Sequence, residues 1–283
     1  MRFRSPQKVL AEIQRNIEKY NARRVGIRDD MHFVNMAQTK EIVQGIIEKK
    51  LNITWFTSVR ADYFRPGFLD DQFLPILIRS GLDKLSLGAE SGSQRILDLL
   101  EKDITPQQVI YAVQQMKKYC IVPVAAFLSC IPGETFADFM ATMRLIKQLE
   151  EIHPQIQING PAVLRPYPGG KLYDLCIKEY GYRHPTTFRE WGRHDYASED
   201  RLPWVKNMNF YKYLWISLLY ARKIKNEEIV KECGSNYAKR FLRLFLKKIW
   251  FWRYRHMNYR FTVDYKLYEL YYKFAHGTNP DLS

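Results

Sequence analysis

Lys84-Leu85-Ser86-Leu87-Gly88-Ala89-Glu90-Ser91-Gly92-Ser93 is the stretch on which the reading of this chain turns. Its first half is strand; its second half is small, polar and glycine-bearing, so the strand stops there. The arrangement returns further on, where Val122 to Leu128 is strand and Cys130-Ile131-Pro132-Gly133-Glu134-Thr135 ends it. Between the two, Thr105-Pro106 starts a helix that runs to about Tyr119. A helix from Phe136 to Glu151 and a strand from about Ile156 to Leu164 follow.

The alternation extends toward the N-terminus. Ser5-Pro6 reads as an N-cap with proline at the first helical position, and Val9, Leu10, Ile13, Ile17 and Tyr20 recur at helical spacing. Val25-Gly26-Ile27 is a short strand broken by Arg28-Asp29-Asp30. A second helix spans about Thr39 to Lys50, Ile53 to Val59 is a β-branched and aromatic strand, and Phe68 to Ser80 reads as helix despite Pro75, with Gly81 as its cap. Strict alternation implies an α/β protein with a parallel sheet covered by helices, open or barrel-shaped. Right-handed crossovers put every strand's C-terminal end on one side, where ligands bind in such proteins. The polar clusters fall there: Asp29-Asp30, Arg60-Ala61-Asp62, Glu90-Ser91-Gly92-Ser93, Ile131-Pro132-Gly133-Glu134-Thr135 and Arg165-Pro166-Tyr167-Pro168-Gly169-Gly170.

Composition narrows the classes. With 46% hydrophobic and 26% charged residues, the chain is ordinary for a folded protein and not a disordered one. Its net charge of +14 favours anionic partners. Cys120, Cys130, Cys176 and Cys233 are too far apart for a zinc knuckle, a redox dithiol or a disulfide framework, which fits a reducing, cytoplasmic compartment. The N-terminal residues carry no secretory signal, and the longest apolar stretch, around Tyr213 to Ala221, is too short to span a bilayer. The alternation stops after Lys171. Residues 1–171 are therefore expected to form the core, and 172–283 a mainly helical, basic and aromatic extension with an irregular connection from Tyr182 to Val205.

Arg4-Ser5-Pro6 with its helix, Asp29-Asp30, Arg60-Ala61-Asp62, Leu87 through Arg95, Ile104-Thr105, Ile131 through Thr135, and Tyr167-Pro168-Gly169 with Leu172-Tyr173 stand in a telling order and spacing. In these segments, over roughly residues 2 to 180, the chain resembles the radical S-adenosylmethionine (radical SAM) superfamily, in particular its cobalamin (B12)-associated branch. The resemblance implies a partial parallel (β/α) barrel, here with its first strand missing. It implies S-adenosylmethionine and a [4Fe–4S] cluster held by a CxxxCxxC loop, soft thiolates being the ligands such clusters require. In that family, one-electron reduction of the sulfonium releases a 5′-deoxyadenosyl radical; methyl transfer or rearrangement follows, with cobalamin in an upstream domain. This sequence has no CxxxCxxC. The expectation is a truncated or split reading frame, marginally soluble and inactive alone. A non-catalytic scaffold that pairs with a separate cluster-bearing chain, or binds an anionic ligand or surface, is the alternative.

The same resemblance assigns site residues. It places Glu90, with Ser91 and Ser93 behind it, near the ribose and methionine portion of S-adenosylmethionine; the plainer reading is a turn that caps the next helix. Ile131, Pro132, Gly133 and Glu134 resemble the adenine-lining segment, or are a strand-to-helix turn with Glu134 complementing a helix N-terminus. Cys130 stands where relatives commonly have glycine, a substitution that obstructs close backbone approach. Asp29, Asp30 and Arg60 bind the amino or carboxylate group of S-adenosylmethionine, or substrate, or form an Asp–Arg ion pair across neighbouring loops. No metal ligand, no specific nucleic acid and no role for His194-Asp195 is expected, and the substrate is not readable. In Tyr237 to Tyr259, Tyr237, Phe241, Leu244, Phe245, Ile249 and Trp252 share one helical face, and Lys239, Arg240, Arg243 and Lys247 lie on the other side. That apolar face is expected to pack onto the barrel, with peripheral contact to an anionic membrane as the alternative.

Overall fold

The Ser5 hydroxyl accepts a hydrogen bond from the Lys8 amide at 3.4 Å, and Pro6 occupies the first turn, where its missing N–H costs nothing. The computed structural model describes residues 4–29, 32–192, 202–204, 237–259 and 263–276. In it the helix so opened, α1, spans Pro6–Tyr20, followed by β1 (Arg24–Gly26), α2 (Met36–Glu48), β2 (Thr54–Val59), α3 (Leu74–Arg79) and β3 (Leu82–Glu90). Next come α4 (Gln94–Leu99), α5 (Pro106–Lys118), β4 (Val122–Ser129), α6 (Phe136–Ile152), β5 (Gln157–Val163), α7 (Lys171–Tyr180) and α8 (Phe188–Gly192). Two further described helices are α9 (Tyr237–His256) and α10 (Val263–His276).

The strands pair in the order β1-β2-β3-β4-β5, all parallel, as a half-barrel. This is the expected α/β partial barrel. One face of the sheet is buried through Trp55 and Val59 of β2, Leu85, Leu87 and Ala89 of β3, and Ala125 and Phe127 of β4. Val109, Val113 and Met116 of α5 and Phe139, Met143 and Ile146 of α6 are buried too. Each buried Val, Leu, Ile, Phe or Met side chain among them contributes about 1.5–3 kcal/mol. Both α5 and α6 start on capping boxes, Thr105 with Gln108 and Thr135 with Asp138, so the chain is turned sharply out of the preceding segment into each helix.

Three local expectations are corrected. The helix expected from Phe68 forms only as α3, because Asp70 accepts from the amides of Gly67, Gln72 and Phe73 and holds a turn there. Pro75 then takes the first turn of a shorter helix. Helix α2 begins three residues before Thr39, where the Asn35 side chain accepts from Gln38 N at 3.1 Å. The five-residue α8 lies inside the segment read as irregular. Gly81, at φ +94, ends α3 as expected; a Cβ there would stand 2.0 Å from the Ile53 carbonyl oxygen.

The chain divides into two compact units, residues 1–128 with 135–162, and residues 129–134 with 163–283. In the second, α9 packs on α10 through Trp250 against Tyr268, edge to face at 5.4 Å between centroids, and through a buried Arg253–Asp264 ion pair at 3.0 Å. Burial falls on Leu246, Trp250, Arg253 and Tyr254, whereas Tyr237, Phe241, Phe245 and Trp252 are exposed. Four of the six residues expected on the packing face are thus exposed, with Leu244 and Ile249 half-buried; the side held by Tyr268 and Asp264 of α10, through Trp250 and Arg253, is the buried one. Among the described residues no helix is long and apolar enough to cross a membrane. Asp30, His194-Asp195, Tyr213 to Ala221 and Cys233 lie outside the described residues.

Candidate functional site at the strand ends

The C-terminal ends of β2 and β3 converge on one polar cluster. Arg60, the first residue past β2, donates from Nε to Asp62 Oδ1 at 2.9 Å and from Nη2 to the Lys102 carbonyl at 3.1 Å. Lys102 Nζ lies 2.8 Å from Glu90 Oε1. Glu90 ends β3 in the left-handed region at φ +55, where the pairing with β4 shifts register between Gly88 and Glu90. A non-glycine residue there costs about 1–3 kcal/mol, the kind of strain that gathers where a side chain must be aimed. The cluster borders a sheet face of small residues: Ser58 is in register with Ser86, and Gly88 with Ala126. These side chains are half-buried, unlike their neighbours on the opposite face.

Behind Glu90 the turn is tied to α6. The Ser91 hydroxyl is 3.0 Å from Thr142 Oγ1, which also accepts from Gly92 N at 2.9 Å. The Ser93 hydroxyl donates to Asp138 Oδ1 at 2.6 Å, and Arg95 forms an ion pair with the same carboxylate. Thr135 adds its amide at 2.9 Å and its hydroxyl at 2.5 Å to Asp138 Oδ2. Burial would raise the Asp138 pKa, but the hydrogen bonds from Arg95, Ser93 and Thr135 outweigh it and hold the carboxyl well below the usual range. Ser91 and Ser93 are therefore engaged in holding the β3 turn on α6.

In the second unit, Cys130 follows β4 at φ +57, again left-handed, in the position where the resemblance has glycine. Its carbonyl accepts from Trp204 Nε1 at 2.7 Å. Ile131 N donates to Glu134 Oε2 at 3.3 Å, and Glu134 N returns to Ile131 O at 2.9 Å, a tight turn around Pro132-Gly133. Gly133 has φ +73, and a Cβ on it would come within 2.8 Å of Tyr180 Oη.

Of the residues singled out by sequence, Arg60 and Glu90 are brought together, through Lys102. Arg60 pairs with Asp62, two residues on, because the short 61–63 turn returns that carboxylate to it; of the Asp29-Asp30 carboxylates expected to reach it from the neighbouring loop, Asp30 lies outside the described residues. Asp29 is near His32, whose pKa is lowered by burial and only partly restored by that carboxylate. Sequence reasoning missed Lys102, Asp138 and Thr142. Asp138 carried a signal, being N3 of the Thr135 capping box; Lys102, a lone lysine between α4 and the Thr105 cap, carried none. A cleft of about 710 Å³ between α1, α2 and the 67–76 segment includes none of these residues.

The three described thiols do not assemble. Cys120 precedes β4 and Cys130 follows it, and eight strand residues separate ends by roughly 25 Å. Cys176 is fully buried in α7, its thiol pushed up to about 11 by burial. Among the described residues no three His, Cys, Asp or Glu side chains group to hold a metal ion. The described residues do not fit a [4Fe–4S] cluster.

A parallel half-barrel with a polar cluster beyond its strand ends belongs to the parallel (β/α) folds, in which that end is where ligands are commonly bound. The sequence profile described as the radical SAM superfamily matches residues 1–146, and the chain belongs to that family. It is 29% identical over 176 residues to an uncharacterised methyltransferase of Pyrococcus horikoshii, covering 62% of this chain and 36% of that protein. It is 27% identical over 173 residues to the anaerobic magnesium-protoporphyrin IX monomethyl ester cyclase of Rubrivivax gelatinosus, covering 61% and 30%. The chain thus spans about a third of the length of these relatives. In fold it is similar to the cobalamin-dependent S-adenosylmethionine radical enzyme OxsB, with TM-score 0.58 and 12% identity over 95% of this chain and 46% of that one. It is likewise similar to the radical S-adenosylmethionine methyltransferase TsrM of Kitasatospora setae, solved with cobalamin and a [4Fe–4S] cluster, with TM-score 0.53 and 15% identity over 65% and 36%.

Proposed function

We propose that this chain supplies the S-adenosylmethionine-binding half-barrel of a cobalamin-associated, methyltransferase-like radical SAM enzyme, whose cluster cysteines come from outside these 283 residues. The observation that carries the reading is the Arg60–Asp62 and Lys102–Glu90 cluster at adjacent strand ends, beside a face of small residues. An α-amino acid needs a cation for its carboxylate and an anion for its ammonium, and the cluster offers both. S-adenosylmethionine would bring a sulfonium bearing methyl and 5′-deoxyadenosyl groups. Arg60 would take its carboxylate, and Glu90 its ammonium or ribose hydroxyls. Asp29 would face ligand from the end of β1. The dispersed thiols support inactivity of the chain alone.

Equilibrium dialysis with labelled S-adenosylmethionine tests binding: the chain should retain the ligand, and Glu90→Gln should weaken it about ten-fold, the loss of one charge-assisted contact. Wild-type protein that retains no label, or a Glu90→Gln variant that binds as tightly, sinks the binding assignment. Anaerobic reconstitution with iron and sulfide tests the cluster. A four-iron spectrum, or 5′-deoxyadenosine produced by the chain alone, would overturn the external source of cysteines and leave the binding result standing.

A further inference from the structure

We infer that the exposed face of α9 is a docking surface for an anionic lipid bilayer, with the helix lying in the plane of the headgroups. The 20-residue helix carries seven Lys or Arg and no Asp or Glu, half of the chain's net charge of +14. Two kinds of surface divide it. Leu246, Trp250, Arg253 and Tyr254 are buried, with Trp250 and Arg253 engaged by Tyr268 and Asp264 of α10. On the other side Tyr237, Phe241, Phe245 and Trp252 are between 49% and 81% exposed and fall within an arc of roughly 80° at 3.6 residues per turn. Phe241 and Phe245 stack with rings 7° from parallel.

The stacking of Phe241 on Phe245 and the contact of Trp252 with His256 leave all four rings largely open to water, and such a stripe marks an interaction site. The chemistry of its surroundings selects the partner. Lys248 and Arg255 are exposed within or beside the same arc, so the stripe is not a dry patch suited to an apolar protein face. Amphipathic rings set among cations match the membrane interface, where Trp and Tyr lie at headgroup level and lysine and arginine meet lipid phosphates. On α10, Val263, Leu267 and Leu270 recur at helical spacing and are also exposed. Because α9 is not apolar enough to span, the surface supports peripheral binding only.

The test is sedimentation of the full chain with vesicles of phosphatidylcholine alone and of phosphatidylcholine with phosphatidylglycerol. Binding to the anionic vesicles should exceed binding to the neutral ones by about ten-fold and weaken with salt. Phe241→Ser, Phe245→Ser and Trp252→Ser combined should lower it about ten-fold, and Lys248→Glu with Arg255→Glu should abolish the preference for anionic lipid. All five side chains are exposed, so the circular dichroism spectrum should be unchanged. Equal partition into both vesicles, or a triple variant that binds like wild type, would overturn the proposal. So would a dimer dissolved by the triple substitution without any vesicle affinity, which would assign the stripe to a second copy, or binding to transfer RNA with none to vesicles.

Discussion

Glu90 accepts an ion pair from Lys102 at 2.8 Å, and it does so from a left-handed backbone at the end of β3. The two residues are joined to Arg60, which holds the Lys102 carbonyl at 3.1 Å. A side chain of one strand end is thereby fixed by the loop that follows α4, and that loop in turn by the next strand end.

Coupling between the two should be measurable. Glu90 is largely buried, but the Lys102 side chain is 39% exposed, so solvent screening limits the pair to about 0.5–1 kcal/mol. A double-mutant cycle of Glu90→Gln and Lys102→Met, read by urea denaturation, should return that coupling energy. A cycle that closes at zero would show that the pair does not form in solution.

Asp138 predicts a pH dependence. Its folded pKa lies below the unfolded value near 3.9, so the unfolded chain binds the proton first as pH falls. The stabilisation is complete above about pH 5 and is lost progressively as acid approaches the folded pKa. Asp138→Asn should cost about 2–3 kcal/mol at neutral pH, since the buried carboxylate accepts from Ser93, Arg95 and Thr135. Between about pH 5 and 3 the variant should lose stability less steeply than wild type. Parallel acid limbs of the two proteins in thermal melts would contradict this assignment.

How much of this could be read beforehand depends on the range of the interaction. The five strands, the capping boxes at Thr105 and Thr135 and the glycine stop at Gly81 are local, and sequence patterns carry them. Helix α3 was overread because apolar spacing from Phe68 onward looked helical, while the Asp70 turn that interrupts it depends on three backbone amides. Glu90 and Arg60 were visible as polar residues at strand ends; Lys102, which connects them, was not, because only the folded chain brings its loop there. On α9 a helical wheel groups Tyr237, Phe241, Phe245 and Trp252, which are exposed together, with Leu244 and Ile249, which are half-buried. It could not tell which side faced α10, a choice made by Trp250, Arg253 and their partners.

Cysteine labelling separates the thiols. Burial favours the protonated form of Cys176, and the thiolate is the reactive species, whereas Cys120 is exposed. Iodoacetamide at pH 8 should alkylate Cys120 in the native protein and reach Cys176 only after unfolding in urea, as peptide mass spectrometry would show. Equal native rates at the two would mean that α7 is open in solution.

The turn after Glu90 gives the sharpest stability prediction. A Cβ on Gly92 would lie 2.3 Å from the Ala141 carbonyl oxygen and 2.7 Å from Thr142 N, both backbone atoms of α6 that cannot rotate away. Gly92→Ala must therefore push the turn off α6, breaking the Gly92 N to Thr142 bond and the Ser91–Thr142 contact with it. The cost should be about 3 kcal/mol, a fall of roughly 6–12 °C in the melting midpoint for a domain of this size. Gly192→Ala is the control: no atom stands within 4 Å of its Cβ position, so it should stay within about 0.5 kcal/mol of wild type. If Gly92→Ala melts with the control, the β3 turn is not seated on α6, and Glu90 then has no rigid support from behind.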